Sequence, residues 1–492
     1  MSRVSLLADV TAAAALPLPA AGSSAALAAP APAVAKAPRR WAVLLAFSLS
    51  SALNAFLWIQ FAPIANIVSQ RFEVSLSAVN WLSLCFMLLF VPGAAVSIFV
   101  TERFGMRALL LGAAAANLVA ALVRYLGTYA PPAAQFALVT LGQCIAALAQ
   151  PAFINAPSRI SGDWFSEHDR ATATTIAAMS NVVGNALGSA LPPAYTNAPS
   201  DVDTGMLIAL VAAAVVLAVS AAAITADAPA EPVSAAAAGR RAARDALQRD
   251  EPDAGAAGPA AGGGAGASEA AAVRAAFRVV RADFAALLAN RNFWPLFLGF
   301  GVGLGVFNAL LTLLSQLILP CGYGNDDAGS AGAALLVAGL VGAGVAGALL
   351  DRTQAFVPLL QGGIVCEVAA IAFLLSSLRP RAEVALIASF GVAGLFLLPL
   401  LPLALENAAE TTFPCSEDNS ASLMLGLGNV VGLVAVFALE PLLAASSSCA
   451  TVFTGSAGLI LALMIVAAAA ICGFFRKDYR RAAAAAAATG QP

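Results

Sequence analysis

The 492 residues are 60% hydrophobic and only 11% charged, with a mean hydropathy of +0.86. Those values lie outside the range of soluble globular domains, and a soluble protein would have no way to hide so much apolar surface. A net charge of −2 says little by itself, because in such a chain charge matters by location; no nucleic-acid partner is expected.

In chain order, residues 1–40 form an Ala/Pro-rich tail without helical periodicity, read as disordered. Asp9 is its only acid, which leaves a transit peptide open as an alternative, although arginine is scarce there. Twelve apolar stretches follow, at 41–68, 77–100, 105–126, 134–156, 171–195, 205–226, 293–319, 330–350, 357–377, 383–405, 419–444 and 451–475. They are numbered here as spans 1 to 12. Each approaches or exceeds the roughly 20 residues that a helix needs to cross a ~30 Å hydrocarbon layer. A polar insert at 228–291 separates two six-span halves, 41–227 and 292–475, and 476–492 form a second tail. The insert carries Arg240, Arg241, Arg244, Arg249 and the run Gly262–Gly264. It is read as a flexible tether, with an amphipathic helix from Glu269 to Leu288 as an alternative for its last part.

An even number of spans puts both tails and the insert on one side. Of the 25 Lys and Arg, only Arg71, Arg124, Arg379 and Arg381 fall on the other side. The positive-inside rule then assigns the N- and C-termini to the cytoplasm. The plasma membrane is expected rather than an organelle membrane, with the protein monomeric and its partners the lipid bilayer and a small-molecule substrate.

Chemical motifs are sparse. There is no nucleotide-binding loop, no triad spacing and no zinc pattern, so neither an enzyme nor a metal or cofactor site is expected. The Gly-x-Gly run at Gly299–Gly305, and the pairs Gly184/Gly188 and Gly428/Gly432, lie within apolar segments. There they read as small-residue faces for close helix approach. Cys321 and Cys449 both fall at the outer end of the second half, where a bridge between them is open; spacing alone does not establish it.

Ionisable residues inside spans are few. Arg124 is read as snorkelling near an outer end, and Glu367 in span 9 lies deepest by index, a candidate for ion coupling. Glu406 and Glu410 mark the inner end of span 10, and Glu440 the outer end of span 11. Asp169 is placed to cap span 5, and His168, the only histidine, reads as solvated. Recognition therefore falls to neutral polar and aromatic residues. These are Asn54, Trp58 and Gln60 in span 1, and Gln143 and Gln150 on one face of span 4. Asn181 and Asn185 in span 5, Asn308 and Gln316 in span 7, and Asn429 in span 11 complete the set. A Trp facing a cavity suits a cationic ligand through cation–π attraction. Trp41 and Trp81 sit nearer span ends and suit the membrane interface.

The six-plus-six layout resembles the major facilitator superfamily of secondary transporters, which implies an all-α membrane fold of twelve transmembrane helices in two six-helix halves. The loop Glu102-Arg103-Phe104-Gly105-Met106-Arg107 after span 2 and Asp351-Arg352 after span 8 are similar to that superfamily's duplicated cytoplasmic gate. By that resemblance Glu102, Arg103, Arg107, Asp351 and Arg352 hold the inner side closed.

More specifically, Asn54-Ala-Phe-Leu-Trp58-Ile-Gln60, Asn80-Trp81-Leu82-Ser83, Gly142-Gln143-Cys144, Ala149-Gln150 and Glu406-Asn-Ala-Ala-Glu410-Thr-Thr-Phe-Pro414 resemble the feline leukaemia virus subgroup C receptor-related family, solute carrier family 49. Glu167-His-Asp-Arg170, Asp351-Arg352-Thr353 and Tyr479-Arg480-Arg481 look closest to its A3 branch. The resemblance implies facilitated transport of choline or ethanolamine, with haem or another metabolite as the alternative. A non-transporting membrane receptor is a second alternative. It also implies a substrate site at Asn54, Trp58, Gln150, Asn308 and Asn429. The family's span 7 aromatic falls on Asn308 and its span 11 Gln on Asn429, so one wall of the aromatic cage is missing, with Phe307 adjacent.

Overall fold

Inside hydrocarbon no water is available to satisfy backbone N–H and C=O groups, so an apolar chain of this length must close its hydrogen bonds within helices. The computed structural model describes residues 39–229, 284–353, 355–412, 415, 417–444, 449 and 455–476; among them every regular element is helical and there is no strand. Most of the first tail, most of the 228–291 insert, including 269–283 of the 269–288 stretch, and most of the last tail lie outside the described residues.

Span 1 runs as Arg40–Ile59, breaks at the turn around Pro63, and resumes as the short helix Ala65–Phe72. The sequence reading of one unbroken span to 68 is therefore two pieces, because Pro63 has no N–H to continue the ladder. Spans 2 and 3 are Leu76–Thr101 and Arg103–Gly127, spans 4 to 6 are Pro132–Ile154, Glu167–Tyr195 and Asp201–Ala223. In the second half the helices are Phe293–Ile318, Asn325–Thr353, Phe356–Ser377, Glu383–Thr412, Glu417–Ala444 and Gly455–Phe474. Eleven of these twelve are long and apolar enough to cross a membrane by composition alone. The exception, span 5, is 29 residues long but carries Asn181, Asn185, Pro192 and Pro193. A helix this polar is tolerated because its polar side meets helices of both halves, while Ile176, Val183, Leu187 and Leu191 form its exposed apolar face.

Glycines set which helices touch. A Cβ at Gly184 would overlap the Ala52 carbonyl, and one at Gly188 would sit 2.6 Å from Ile59, so span 5 lies directly on span 1. In the second half Gly305 faces Val431 and Gly428 faces Leu304, which brings span 11 onto span 7 in the same way. Span 2 meets span 4 through Gly93 and the Leu148 carbonyl, while Gly342 and Gly394 meet the carbonyls of Leu395 and Leu335 between spans 8 and 10. The two halves thus repeat one packing scheme, as an internal repeat requires. Across the halves, Gly329 and Gly332 of span 8 rest on Ser189 of span 5, and Trp81 of span 2 stacks edge-on against Phe437 of span 11.

The chain kinks at Gly105, near the start of span 3, where a φ of 89° is a conformation that only glycine adopts without strain. The Asp227 carboxylate, from beyond span 6, occupies the space a side chain at this position would need. It accepts the Arg107 backbone N–H at 2.7 Å and so caps span 3 from a distance, while the Arg107 Nε donates to the Ile224 carbonyl at the end of span 6. Span 5 starts at Ser166 as its cap position, and Asp169 sits within the first turn. Asp169 pairs there with Arg40 at 2.9 Å instead of capping as the sequence suggested. On the opposite end of the bundle, Cys321 and Cys449 are joined, closing a separation of 128 residues between the loops after spans 7 and 11.

Candidate functional site

Spans 1, 2, 4, 5, 7, 9, 10, 11 and 12 surround a cavity of about 250 Å³ between the halves. Trp58, Gln150, Asn308 and Asn429 all line it. Trp58 is held in place by its indole N–H, which donates to the Ser83 carbonyl at 3.2 Å, leaving the ring only 5% exposed. Asn429 spends one amide hydrogen on the Leu425 carbonyl a turn earlier, at 2.9 Å. The cavity runs from these residues toward the end of the bundle where span 1 begins and span 12 ends, where Pro157, Leu360, Leu405 and Ile471 contribute. None of its described lining residues carries a charge.

Two of the polar residues noted in span 5 belong to this wall, and sequence reasoning had left out most of its aromatic part. Asn181 and Asn185, one turn apart on span 5, line the cavity beside Gln150; the Asn185 Oδ1 and the Asn181 Nδ2 have no hydrogen-bond partner. Phe86, Phe90, Phe153, Phe300 and Phe307 supply aromatic surface. The i,i+4 spacing of Phe86 and Phe90 and the i,i+7 spacing of Phe300 and Phe307 were signals of a shared face. Phe307 does stand in the wall beside Asn308.

Asn54 does not line the cavity. It is fully buried, donating to Asn117 Oδ1 at 2.8 Å and to the Ala146 carbonyl at 3.0 Å, and so ties spans 1, 3 and 4 together. Its Nδ2 is thereby spent on protein acceptors, while its Oδ1 is buried without a hydrogen-bond partner and away from the cavity lining. Gln143 likewise turns inward: its Nε2 donates to the carbonyls of Leu57 and Leu82, and its Oε1 accepts from Arg124 at 2.6 Å. Arg124 is fully buried rather than snorkelling, because Gly142 leaves the room its side chain fills and Gln143 gives it an acceptor.

The gate residues divide. Arg107 serves the first half internally, as described above, and Arg103 lies over the Phe104 ring at 5.5 Å. Arg352 is exposed at the end of span 8, and the side chains of Glu102 and Asp351 lie outside the described residues. At the opposite end of the bundle, Asn80 of span 2 accepts from Gln316 of span 7 at 2.7 Å and donates to Glu440 of span 11 at 3.2 Å. One side chain of the first half thereby holds two helices of the second. Glu367 is fully buried in span 9, and neither carboxyl oxygen has a hydrogen-bond partner. It lies on the helical stripe of Leu360 and Ile364, which line the cavity one and two turns away. His168 is exposed, as read, and contacts Asp169 at 3.0 Å.

Comparison with known proteins agrees with this architecture. The family model of the Major Facilitator Superfamily matches residues 44–412. A solved D-xylose–proton symporter superposes with a TM-score of 0.64 at 14% identity, over 89% of this chain and 98% of its own. A bacterial homologue of the human lysosomal transporter Spinster does so at 0.58 and 16%, over 91% and 96%. The chain is a membrane-spanning secondary transporter of the major facilitator superfamily, built without enzymatic chemistry. Solute carrier family 49 member A3 of Danio rerio is 31% identical over 427 residues, covering 86% of this chain and 82% of the relative. Choline/ethanolamine transporter FLVCR2 of Homo sapiens is 28% identical over 403 residues, 80% of this chain and 70% of the relative. The chain belongs to solute carrier family 49, on the side of its A3 branch.

Proposed function

We propose that the protein moves a small organic cation or amine such as choline or ethanolamine by alternating access. The observation that carries this is a wall of Trp58 and five phenylalanines interleaved with neutral amides and lacking charge. Aromatic faces attract an ammonium group without the desolvation that a buried carboxylate would require, and the amides can orient a hydroxyl or amine. Relatives named choline/ethanolamine transporters support the same class. The ~250 Å³ volume is near the small end of ligand cavities, which favours a compact solute over a haem macrocycle. Among the described cavity residues no His, Tyr or Cys stands ready as an axial ligand for haem iron.

The termini are cytoplasmic in this proposal, and the protein works as a monomer in the plasma membrane. The Cys321–Cys449 bridge supports that orientation, since it lies on the opposite end and disulfides persist in oxidising compartments. With this orientation the cavity faces the cytoplasm and Asn80, Gln316 and Glu440 close the outer side. The inner gate falls to Glu102, Arg103, Asp351 and Arg352, with Arg107 bracing spans 3 and 6 behind it. An epitope inserted in the loop at 378–382 is expected to stain in intact cells and an N-terminal tag only after permeabilisation. The reverse pattern would overturn the orientation.

Radiolabelled choline uptake into cells expressing the chain is expected to saturate above mock controls. A dependence on the pH gradient that Glu367→Gln abolishes would assign Glu367 to proton coupling; uptake indifferent to pH removes proton coupling and leaves Glu367 a structural acid. No uptake above mock, with the protein at the surface, sinks choline import. A receptor would show binding without saturable flux.

A further inference from the structure

The cavity wall is sorted by depth, and a bare ammonium group would touch only part of it. Consecutive spans run in opposite directions, so a lining residue late in span 4 lies level with one early in span 7 or 11. On span 4, Gln150 is followed by Phe153, Ile154 and Pro157. On span 7, Phe300 and Gly303 come before Asn308, and on span 11 Leu425 comes before Asn429. Span 5 keeps the same order, with Met179 ahead of Asn181 and Asn185. The polar side chains of the described lining are thus gathered toward Trp58. Beyond them, toward the end where span 1 begins, the described lining is apolar.

Spans 9, 10 and 12 carry this furthest, because every side chain they give to the cavity is aliphatic. Leu360 and Ile364 stand one turn apart on span 9, as do Leu401 and Leu405 on span 10, and Ile471 of span 12 adjoins them. Opposite the stripe there is room: a Cβ at Gly303 would meet nothing within 4 Å. A fully hydrophilic solute draws no attraction from such a surface, whereas an aliphatic chain gains free energy by leaving water for it.

We infer that the solute is amphiphilic, with an ammonium head at Trp58 and the amides and an aliphatic tail along the stripe of spans 9, 10 and 12. Resting on the amine assignment of the Trp58 end, this adds the second part of the molecule that the cavity takes. The volume of about 250 Å³ suits a chain of a few carbons and excludes a diacyl lipid.

The full chain, purified in detergent, is titrated calorimetrically with tetramethylammonium and with butyl-, pentyl- and hexyltrimethylammonium, and hexanol reports partition into the micelle. The dissociation constant should fall about fourfold for each methylene added, until the tail outgrows the slot. Gly303→Leu places a side chain in open space, so the fold is kept, and it should weaken the hexyl compound roughly tenfold and flatten the slope. Equal affinity along the series overturns the inference and leaves the stripe as a dry seal between the two halves. A slope unchanged in Gly303→Leu overturns it as well, since the tail then lies elsewhere. Binding by no member, tetramethylammonium included, brings down the amine assignment itself and this inference with it.

Discussion

Trp58→Ala is expected to lower choline uptake roughly 30-fold at unchanged surface level, the size of a desolvated cation–π contact of ~2 kcal/mol. The indole is anchored at its N–H by the Ser83 carbonyl, so the ring is presented to the cavity in one orientation at little entropic cost. Trp58→Phe keeps a smaller aromatic face but loses that anchor, and should fall between alanine and the wild type. The ordering Trp, Phe, Ala in uptake, measured against surface-biotinylated protein, separates a cation–π wall from simple space filling. Equal losses for Phe and Ala would point to the Ser83 contact as the function of Trp58. An unchanged rate in Trp58→Ala would remove it from the site altogether.

Gln143→Leu is expected to cost about 3 kcal/mol of stability, read as a lowered unfolding midpoint in detergent, because it strands the buried Arg124. Leucine fills a similar volume, so the loss is not one of packing. It comes from removing the acceptor at 2.6 Å from the Arg124 guanidinium, whose remaining described contact of note is the Phe61 ring at 5.8 Å. The double change Arg124→Leu with Gln143→Leu should recover much of that loss, since replacing both partners by apolar groups leaves no unpaired charge. A single variant as stable as the wild type would show that the charge is accommodated in some other way. A double variant worse than the single would mean that Arg124 packs more than it pairs.

These two residues also show how far the chain could be read without coordinates. Trp58 and Gln143 each interrupt an apolar helix and were noticed for the same reason, yet one faces the cavity and the other faces two backbone carbonyls. Asn54 and Asn308 differ in the same way: both are amides in membrane spans, one locked between spans 1, 3 and 4, the other on the cavity wall. Arg124 looked like a snorkelling residue because its index puts it near a helix end. Its burial follows from Gly142 on the neighbouring span, a contact with no trace in the local sequence. The glycine pairs at 184/188 and 428/432 announced close helix approach but not the partner helix.

The sequence by itself determined that the chain crosses a membrane, where its spans lie, that they fall into two sixes, and which family it belongs to. Those properties depend on apolar length and on residue patterns that are local along the chain. Tertiary structure alone decided which amides line the cavity and which satisfy the backbone, and which cysteines meet. Each of those depends on the rotation of one helix against another, and that rotation is set by how side chains 19 to 360 residues apart pack together.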